Sequence, residues 1–482
     1  MRPLEVLVAV TAAAALVAAV VGRPRALRLL AAPVAVLAVG LHLVVEGPRG
    51  AMVVAYALVA ALALVRMGRP DRLGRAGRAG VAGCGAVGLA AAIALPVAVP
   101  VFTFPRPTGP HGVGTLTYHW VDAGRPEILS ADPAARREVV VQVWYPAEDA
   151  PGAARAPYVA DAGSVGPAMA HVHGLPAFVL GGMGSVVTNA VDAAPAVGPA
   201  HPVVVFLEGL TGYRQMNTFQ VEELVSHGYA VVAIDQPYVA SRVEFPDGHR
   251  TDMLPVDLTQ ALLQPSISPV APAPRLHGRP FDRGSVPHLA ADVGFVLDRL
   301  AEVDRSDPQG VLTGRLDLSR TGVFGVSMGG IVGAEACRTE PRLRACLVVD
   351  APMPREVVRH GLDRPTLWVS RDVATMQREG WDPADIDEHQ DSMRAVFDTL
   401  RADGYLVRVP GAFHADFTDL PRWVPLLSPA GFAGPIGTAR AHRIVNAWTV
   451  AFFDRHLAGA PAPLLDDAAA HAPEVVVETH RG

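Results

Sequence analysis

Ser327 stands in the run Gly325-Val326-Ser327-Met328-Gly329-Gly330, a hydroxyl flanked by small residues. The stretch Thr321 to Val326 before it reads as a strand, and Gly329 to Arg338 after it as a helix. A serine on a tight strand-to-helix turn is lifted clear of a sheet, and only small neighbours tolerate the backbone that lifts it. In a chain with 46 glycines the pattern carries weight because of that flanking strand and helix. A serine hydroxyl is barely nucleophilic at neutral pH, so acyl transfer needs a histidine to take its proton and a carboxylate to orient the histidine. After such a turn the carboxylate comes first in the chain and the histidine second.

Asp350 ends the apolar run Ala345 to Val349, and Asp372 follows the next run, Thr366 to Ser370; either could be the acid, or a helix-capping carboxylate. His414 lies in Gly411-Ala412-Phe413-His414, just past the run Tyr405 to Val409, where a loop histidine reaches back to the sheet edge. His442 and His456 fall in a predicted last helix, and His360 and His389 are expected to face solvent. The negative charge that develops on a carbonyl oxygen needs preorganised N–H donors, worth roughly 2.7–4 kcal/mol each. The Met328 amide is one candidate. Leu210, in the turn Glu208-Gly209-Leu210-Thr211-Gly212 after the run Pro202 to Leu207, is the other.

Strands are expected at Gly114 to Val121, Val139 to Tyr145, Pro202 to Leu207, Tyr229 to Ile234, Thr321 to Val326, Ala345 to Val349, Thr366 to Ser370 and Tyr405 to Val409. Helices are expected between them, at Phe219 to Ser226, Pro287 to Ala301, Gly329 to Arg338, His389 to Ala402 and Ala441 to Leu457. Apolar runs without alternation, such as Val203-Val204-Val205-Phe206, belong to strands buried on both faces. Alternating with helices, they indicate an open α/β sheet. Residues 113–465 are taken as this domain, with a Pro-rich, lid-like insertion over about 240–285 and a disordered tail over 466–482.

The first hundred residues differ from the rest. All 41 basic residues of the 482 are Arg; residues 1–110 hold 11 of them against Glu5, Glu46 and Asp71, a net of +8, while the remainder is at −14. An acidic globular part argues against a nucleic-acid partner. Uncharged runs from Val6 to Gly22, Leu29 to Val45, Gly50 to Val65 and Ala79 to Pro105 read as four membrane helices in residues 1–104, followed by a linker at 105–112. Val6 to Gly22 alone also suits a signal peptide, but three more such runs follow it at once. Arg23, Arg25 and Arg28 in the first loop and Arg66, Arg69, Arg72, Arg75 and Arg78 in the third place those loops in the cytoplasm. Both termini and the globular part then face the exterior. The three cysteines, Cys84, Cys337 and Cys346, are too few for a disulfide framework.

Together, Glu208-Gly209-Leu210-Thr211-Gly212, Gly325 to Gly330, Val349-Asp350 and Gly411 to His414 resemble the platelet-activating-factor acetylhydrolase (isoform II) branch of the α/β-hydrolases. The likeness spans roughly residues 112 to 460, including the strand Val139 to Pro146, and leaves out the membrane helices. It implies an α/β-hydrolase fold with Ser327 as nucleophile, Asp350 rather than Asp372 as acid, His414 as base, and Leu210 and Met328 as the oxyanion donors. It implies hydrolysis of carboxylic esters, lipid or short-acyl, with no metal or organic cofactor. An acyltransferase would use the same triad, and a non-catalytic binding ectodomain is the alternative from another class. The family typically has His-Gly at the oxyanion turn where this chain has Glu208-Gly209. A carboxylate there opposes the developing charge unless it is turned away, paired or protonated. A buried hydrogen bond from Glu208 that holds the turn, with Arg214 as a charge partner, is the expectation.

Overall fold

The apolar N-terminal runs form four helices, α1 (Pro3–Val21), α2 (Arg25–Val45), α3 (Val53–Met67) and α4 (Arg75–Ala98). In the computed structural model, which describes residues 1–21, 25–68, 74–423, 425, 431–467 and 473–482, they pack as one bundle with its own apolar core. Three helices, Pro3–Val21, Gly50–Met67 and Arg75–Ala98, are long and apolar enough to cross a membrane, and the apolar part of α2, Leu29–Val45, is shorter. Of the 28 large apolar residues left exposed among the described residues, 21 lie before residue 98, a surface that a water-soluble domain rarely tolerates. Small residues allow close approach: a Cβ on Gly85 would lie 2.3 Å from Leu16 Cδ1. Arg23, Arg69 and Arg72 of the two Arg-rich loops lie outside the described residues.

One end of the bundle is polar and meets the rest of the protein. There Arg49 Nη1 bonds Glu5 Oε1 at 2.8 Å, Arg2 Nη1 bonds the Glu46 carbonyl at 2.7 Å, and His42 lies between Glu46 Oε2 and the Tyr56 hydroxyl. Gly50–Met52 in the α2–α3 connection contacts Ala177–Val179 of the globular part.

That part is built on ten strands: β1 (Gly112–Pro126), β2 (Arg136–Ala147), β3 (Ala190–Asp192), β4 (His201–Leu207), β5 (Ala230–Asp235), β6 (Leu316–Val326), β7 (Leu343–Val349), β8 (Thr366–Ser370), β9 (Gly404–Arg408) and β10 (Val476–His480). Their spatial order is β10-β9-β8-β7-β6-β4-β5-β2-β1-β3. The six strands from β9 to β5 run parallel; β2 pairs antiparallel with β5, β1 with β2, and β10 with β9. Parallel neighbours require crossovers, and the crossover helices cover both faces. β4 shows the result: Val203, Val205 and Leu207 enter one core, Val204 and Phe206 the other.

The crossovers supply α5 (Ala162–Val172), α6 (Thr218–Ser226), α7 (Val256–Leu263), α8 (Val286–Arg305), α9 (Met328–Thr339), α10 (Arg355–His360), α11 (Val373–Glu379), α12 (Pro383–Asp398) and α13 (Thr438–Phe453). Residues of α8, α9, α10 and α12 close the first core, and those of α6 and α13 the second. Thus every strand expected from the sequence is present, in the α/β architecture expected.

The lid-like insertion expected at about 240–285 contains a hairpin, Arg242–Glu244 with Arg250–Asp252, then α7, which buries Thr259, Leu262 and Leu263. One expectation needs correction. The tail expected to be disordered supplies β10, because Val475-Val476-Val477 completes the sheet edge and Glu478 meets Arg394 and Arg408; residues 468–472 lie outside the described residues. Cys337 and Cys346 form one disulfide joining the end of α9 to β7, with Cα atoms 6.4 Å apart; Cys84 is free.

Candidate active site

Sheet register places the candidate residues side by side. Val326 of β6 pairs with Val349 of β7, and Val349 with Val369 of β8, so Ser327, Asp350 and Ser370-Arg371 follow one another along the carboxyl edge. In open α/β sheets this edge is where sites assemble. Ser327 has φ 56° and ψ −125°, a conformation that costs an L residue about 1–3 kcal/mol. Its N–H donates to the Val349 carbonyl at 2.8 Å, and its carbonyl accepts from Gly330 N at 2.9 Å, which hold the turn. The glycines are required. A Cβ on Gly325 would lie 2.1 Å from the Gly329 carbonyl oxygen, and one on Gly329 would lie 2.1 Å from that of Leu207. Ser327 is only half-buried, and its hydroxyl bonds no described residue.

Asp350 is fully buried, and its Oδ2 accepts from His414 Nδ1 at 2.5 Å. Its Oδ1 accepts from the Ser370 hydroxyl at 3.0 Å and from Arg371 N at 3.2 Å. Burial by itself pushes the carboxyl up, but the Arg371 guanidinium and His414 outweigh it and hold Asp350 well below the usual carboxylate range. The His414 side chain is 30 % exposed, and its Nε2 has no partner among the described residues. A histidine held at Nδ1 by a buried carboxylate, with Nε2 turned to an open site, has the orientation that proton transfer to and from a hydroxyl requires.

No family model and no curated protein matches the chain. Solved structures do match it, 378 chains in all. One is a ferulic acid esterase from Streptomyces cinnamoneus, with 30% sequence identity and a TM-score of 0.61, covering 78% of this chain and 99% of that one. The chain belongs to the α/β-hydrolase-like esterases.

In this esterase the turn after β4 lies against the serine: a Cβ on Gly209 would be 3.3 Å from Ser327 Cβ. Thr211 has φ 66°, and Gly212 N closes the turn onto the Gly209 carbonyl at 2.9 Å. No described acceptor takes the Leu210 N–H. Met328 begins α9, where amides lack an intrahelical partner. Both amides are therefore available to a ligand.

Glu208 is fully buried, and its Oε1 accepts the Gln236 N–H at 2.9 Å, the buried hydrogen bond expected at this turn. Arg214 is not its partner. It bonds both carboxylate oxygens of Asp235 instead, because the chain returns along β5 beside β4 and brings Asp235 nearer. Burial first, and the Asp235 charge second, push Glu208 up to about 8. Burial pushes Asp235 up as well, against the pull of the Arg214 guanidinium, so the two carboxyls share their titration; Glu208, which has no cation beside it, is the one that holds the proton at pH 7. A neutral carboxylic acid does not oppose an oxyanion.

The other candidates separate cleanly. Asp372 caps α11, its Oδ1 accepting from Thr375 N at 2.9 Å. His360 is exposed beside Glu356. His442 is buried against the Phe219 ring, and its Nε2 bonds the Thr418 carbonyl; His456 packs at a tilt against Tyr405 and Phe452. His389, expected to face solvent, is buried at the site: its Nε2 lies 3.1 Å from the Ser370 hydroxyl and 3.7 Å from Asp350 Oδ1. Burial pushes it down to about 4, so it is neutral. It lies on the inward side of α12, as its spacing from Ile386, Met393 and Val396 allows. Arg371, Glu379 and Trp381 also enter the site without a motif to announce them.

Proposed function

We propose that this esterase is a membrane-anchored serine hydrolase of carboxylic esters with its catalytic domain outside the cell. Ser327 attacks the ester carbonyl while His414 Nε2 takes the hydroxyl proton, and the imidazolium is stabilised by Asp350. The Leu210 and Met328 amides receive the negative charge on the carbonyl oxygen. His414 returns the proton to the departing alcohol, and water, deprotonated by the same nitrogen, releases the acid from Ser327. The observation that carries this reading is the 2.5 Å bond between His414 Nδ1 and a fully buried Asp350, beside a serine held at φ 56°.

Two classes of ester have support. The resemblance to platelet-activating-factor acetylhydrolases favours lipid or short-acyl esters, and the ferulic acid esterase neighbour favours feruloyl esters. The exterior placement is supported by the cationic loops and by the Cys337–Cys346 disulfide, a bond that persists in oxidising surroundings.

The test is fluorophosphonate labelling of the purified full-length chain, with and without Ser327→Ala, followed by short-acyl, long-acyl and feruloyl esters with and without an added alcohol acceptor. Labelling lost in Ser327→Ala, and acid as the main product, supports the reading. Ester products with the added alcohol would make it an acyltransferase, and a folded wild type that takes no label would make it a binding domain.

A further inference from the structure

Asp350 Oδ2 is shared. Besides His414 Nδ1 it faces Arg371 Nε at 2.8 Å. The Arg371 side chain is fully buried, and its guanidinium carbon lies 4.1 Å from the centroid of the Trp381 ring, so water does not screen it. At the far end, Arg371 Nη1 bonds Glu379 Oε2, while Glu379 Oε1 accepts the backbone N–H of His414 at 3.0 Å. Asp350, Arg371, Glu379 and His414 thus close a ring. Trp381 also faces the His414 ring, with centroids 5.9 Å apart. The ring's segments are joined a second time where Gly411 N donates to the Thr375 hydroxyl at 2.9 Å.

The charges in this ring have opposite consequences. With a neutral imidazole, two carboxylates and one guanidinium leave a net charge of minus one; when His414 takes the serine proton the ring becomes neutral. Without Glu379 the resting ring would be neutral and the protonated one positive. Without Arg371 the resting ring would carry two negative charges. Of the other titratable groups nearby, His389 on α12 is neutral, and Asp416, on the loop of His414, is a further carboxyl near Glu379, held by Phe413 N, Gly434 N and the Thr438 hydroxyl; both are the same in every variant compared below.

We propose that Arg371 and Glu379 are positioning residues that bias the Asp350–His414 pair in opposite directions, Arg371 restraining and Glu379 favouring proton uptake by His414. This rests on the serine-hydrolase reading above, with His414 as base.

The test is the pH profile of kcat/KM for a soluble short-acyl ester in the full-length protein, for Glu379→Gln and Arg371→Met, with Arg371→Lys as the charge-conserving control. Removing a negative charge disfavours the imidazolium, so the acid limb of Glu379→Gln moves to lower pH, by on the order of one unit. Removing the positive charge moves the limb of Arg371→Met to higher pH by a similar amount. Arg371→Lys returns it towards wild type. kcat falls roughly tenfold or more in both charge-removing variants while KM stays within about threefold, since neither side chain is placed to touch the substrate. A purely structural role would lower activity without moving the two limbs apart. Glu379→Gln keeps an acceptor for the His414 N–H on a partly exposed side chain, so it decides the matter even if Arg371→Met does not fold. An unmoved limb in Glu379→Gln, or one shifted to higher pH, overturns the proposal. If the wild type takes no fluorophosphonate at Ser327, the underlying reading fails instead, and the two failures are distinct.

Discussion

Glu208 offers a perturbation whose size follows from its surroundings. Its carboxyl titrates at about 8 in the folded protein against an ordinary value of 4.5. Below pH 4.5 it is protonated in both the folded and unfolded chains and makes no difference to stability. Between 4.5 and 8 only the folded chain keeps the proton, so stability falls with rising pH, by about 1.4 kcal/mol per unit. Above 8 the loss is complete and constant. By pH 7 the accumulated loss is roughly 3 kcal/mol, an upper figure because Asp235 shares the titration. Glu208→Gln retains an oxygen for the Gln236 N–H but has no proton to lose. The variant is expected to match wild type in stability near pH 4.5 and to exceed it increasingly towards pH 8. Other buried carboxyls with raised values, such as Glu222 and Asp419, are present in both proteins and cancel in the difference. The assay is thermal unfolding followed by tryptophan fluorescence at a series of pH values, with ester turnover measured alongside. Turnover at pH 7 should stay within about threefold of wild type, because the native residue is already uncharged there. In more alkaline buffer the wild type should lose rate as a carboxylate forms behind the oxyanion turn, and the variant should not. Stability differences that do not vary with pH would refute the argument that Glu208 is neutral.

Two further outcomes are expected. Asp350→Asn should lower kcat by about three to four orders of magnitude, whereas Asp372→Asn, which touches only a helix cap, should change stability by roughly 1 kcal/mol or less and leave kcat unaltered; the contrast is read by turnover and melting on the two purified variants. If α1 to α4 all cross the membrane with the Arg-rich loops inside, as proposed, both termini lie outside and an epitope tag at Gly482 should be removed by protease added to intact cells; a protected tag on a folded protein would reverse the topology.

What was legible in the sequence follows from what is local. Strands such as Val203 to Phe206 announce themselves because burial on both faces demands an unbroken apolar run, and the glycines around Ser327 announce a turn because no side chain fits there. Asp350 and Asp372 looked alike, each ending a strand run, and the structure separates them by surroundings alone: one lies in the interior with His414, and the other caps α11. Residues whose part depends on distant partners left no trace. Arg371 was one Arg among 41 in a chain that uses no Lys, so its type carried no information. Its meaning comes from Glu379, eight residues on, and from His414, forty-three residues on, which meet only because β8 and β9 are neighbours. The same holds for β10, a short β-branched run that is ordered by the free edge of β9 and by Arg394 and Arg408. A nucleophile must strain its own backbone and is therefore written in its neighbours. A charge that tunes the base needs only to arrive at the right distance, and any element of the fold can bring it there.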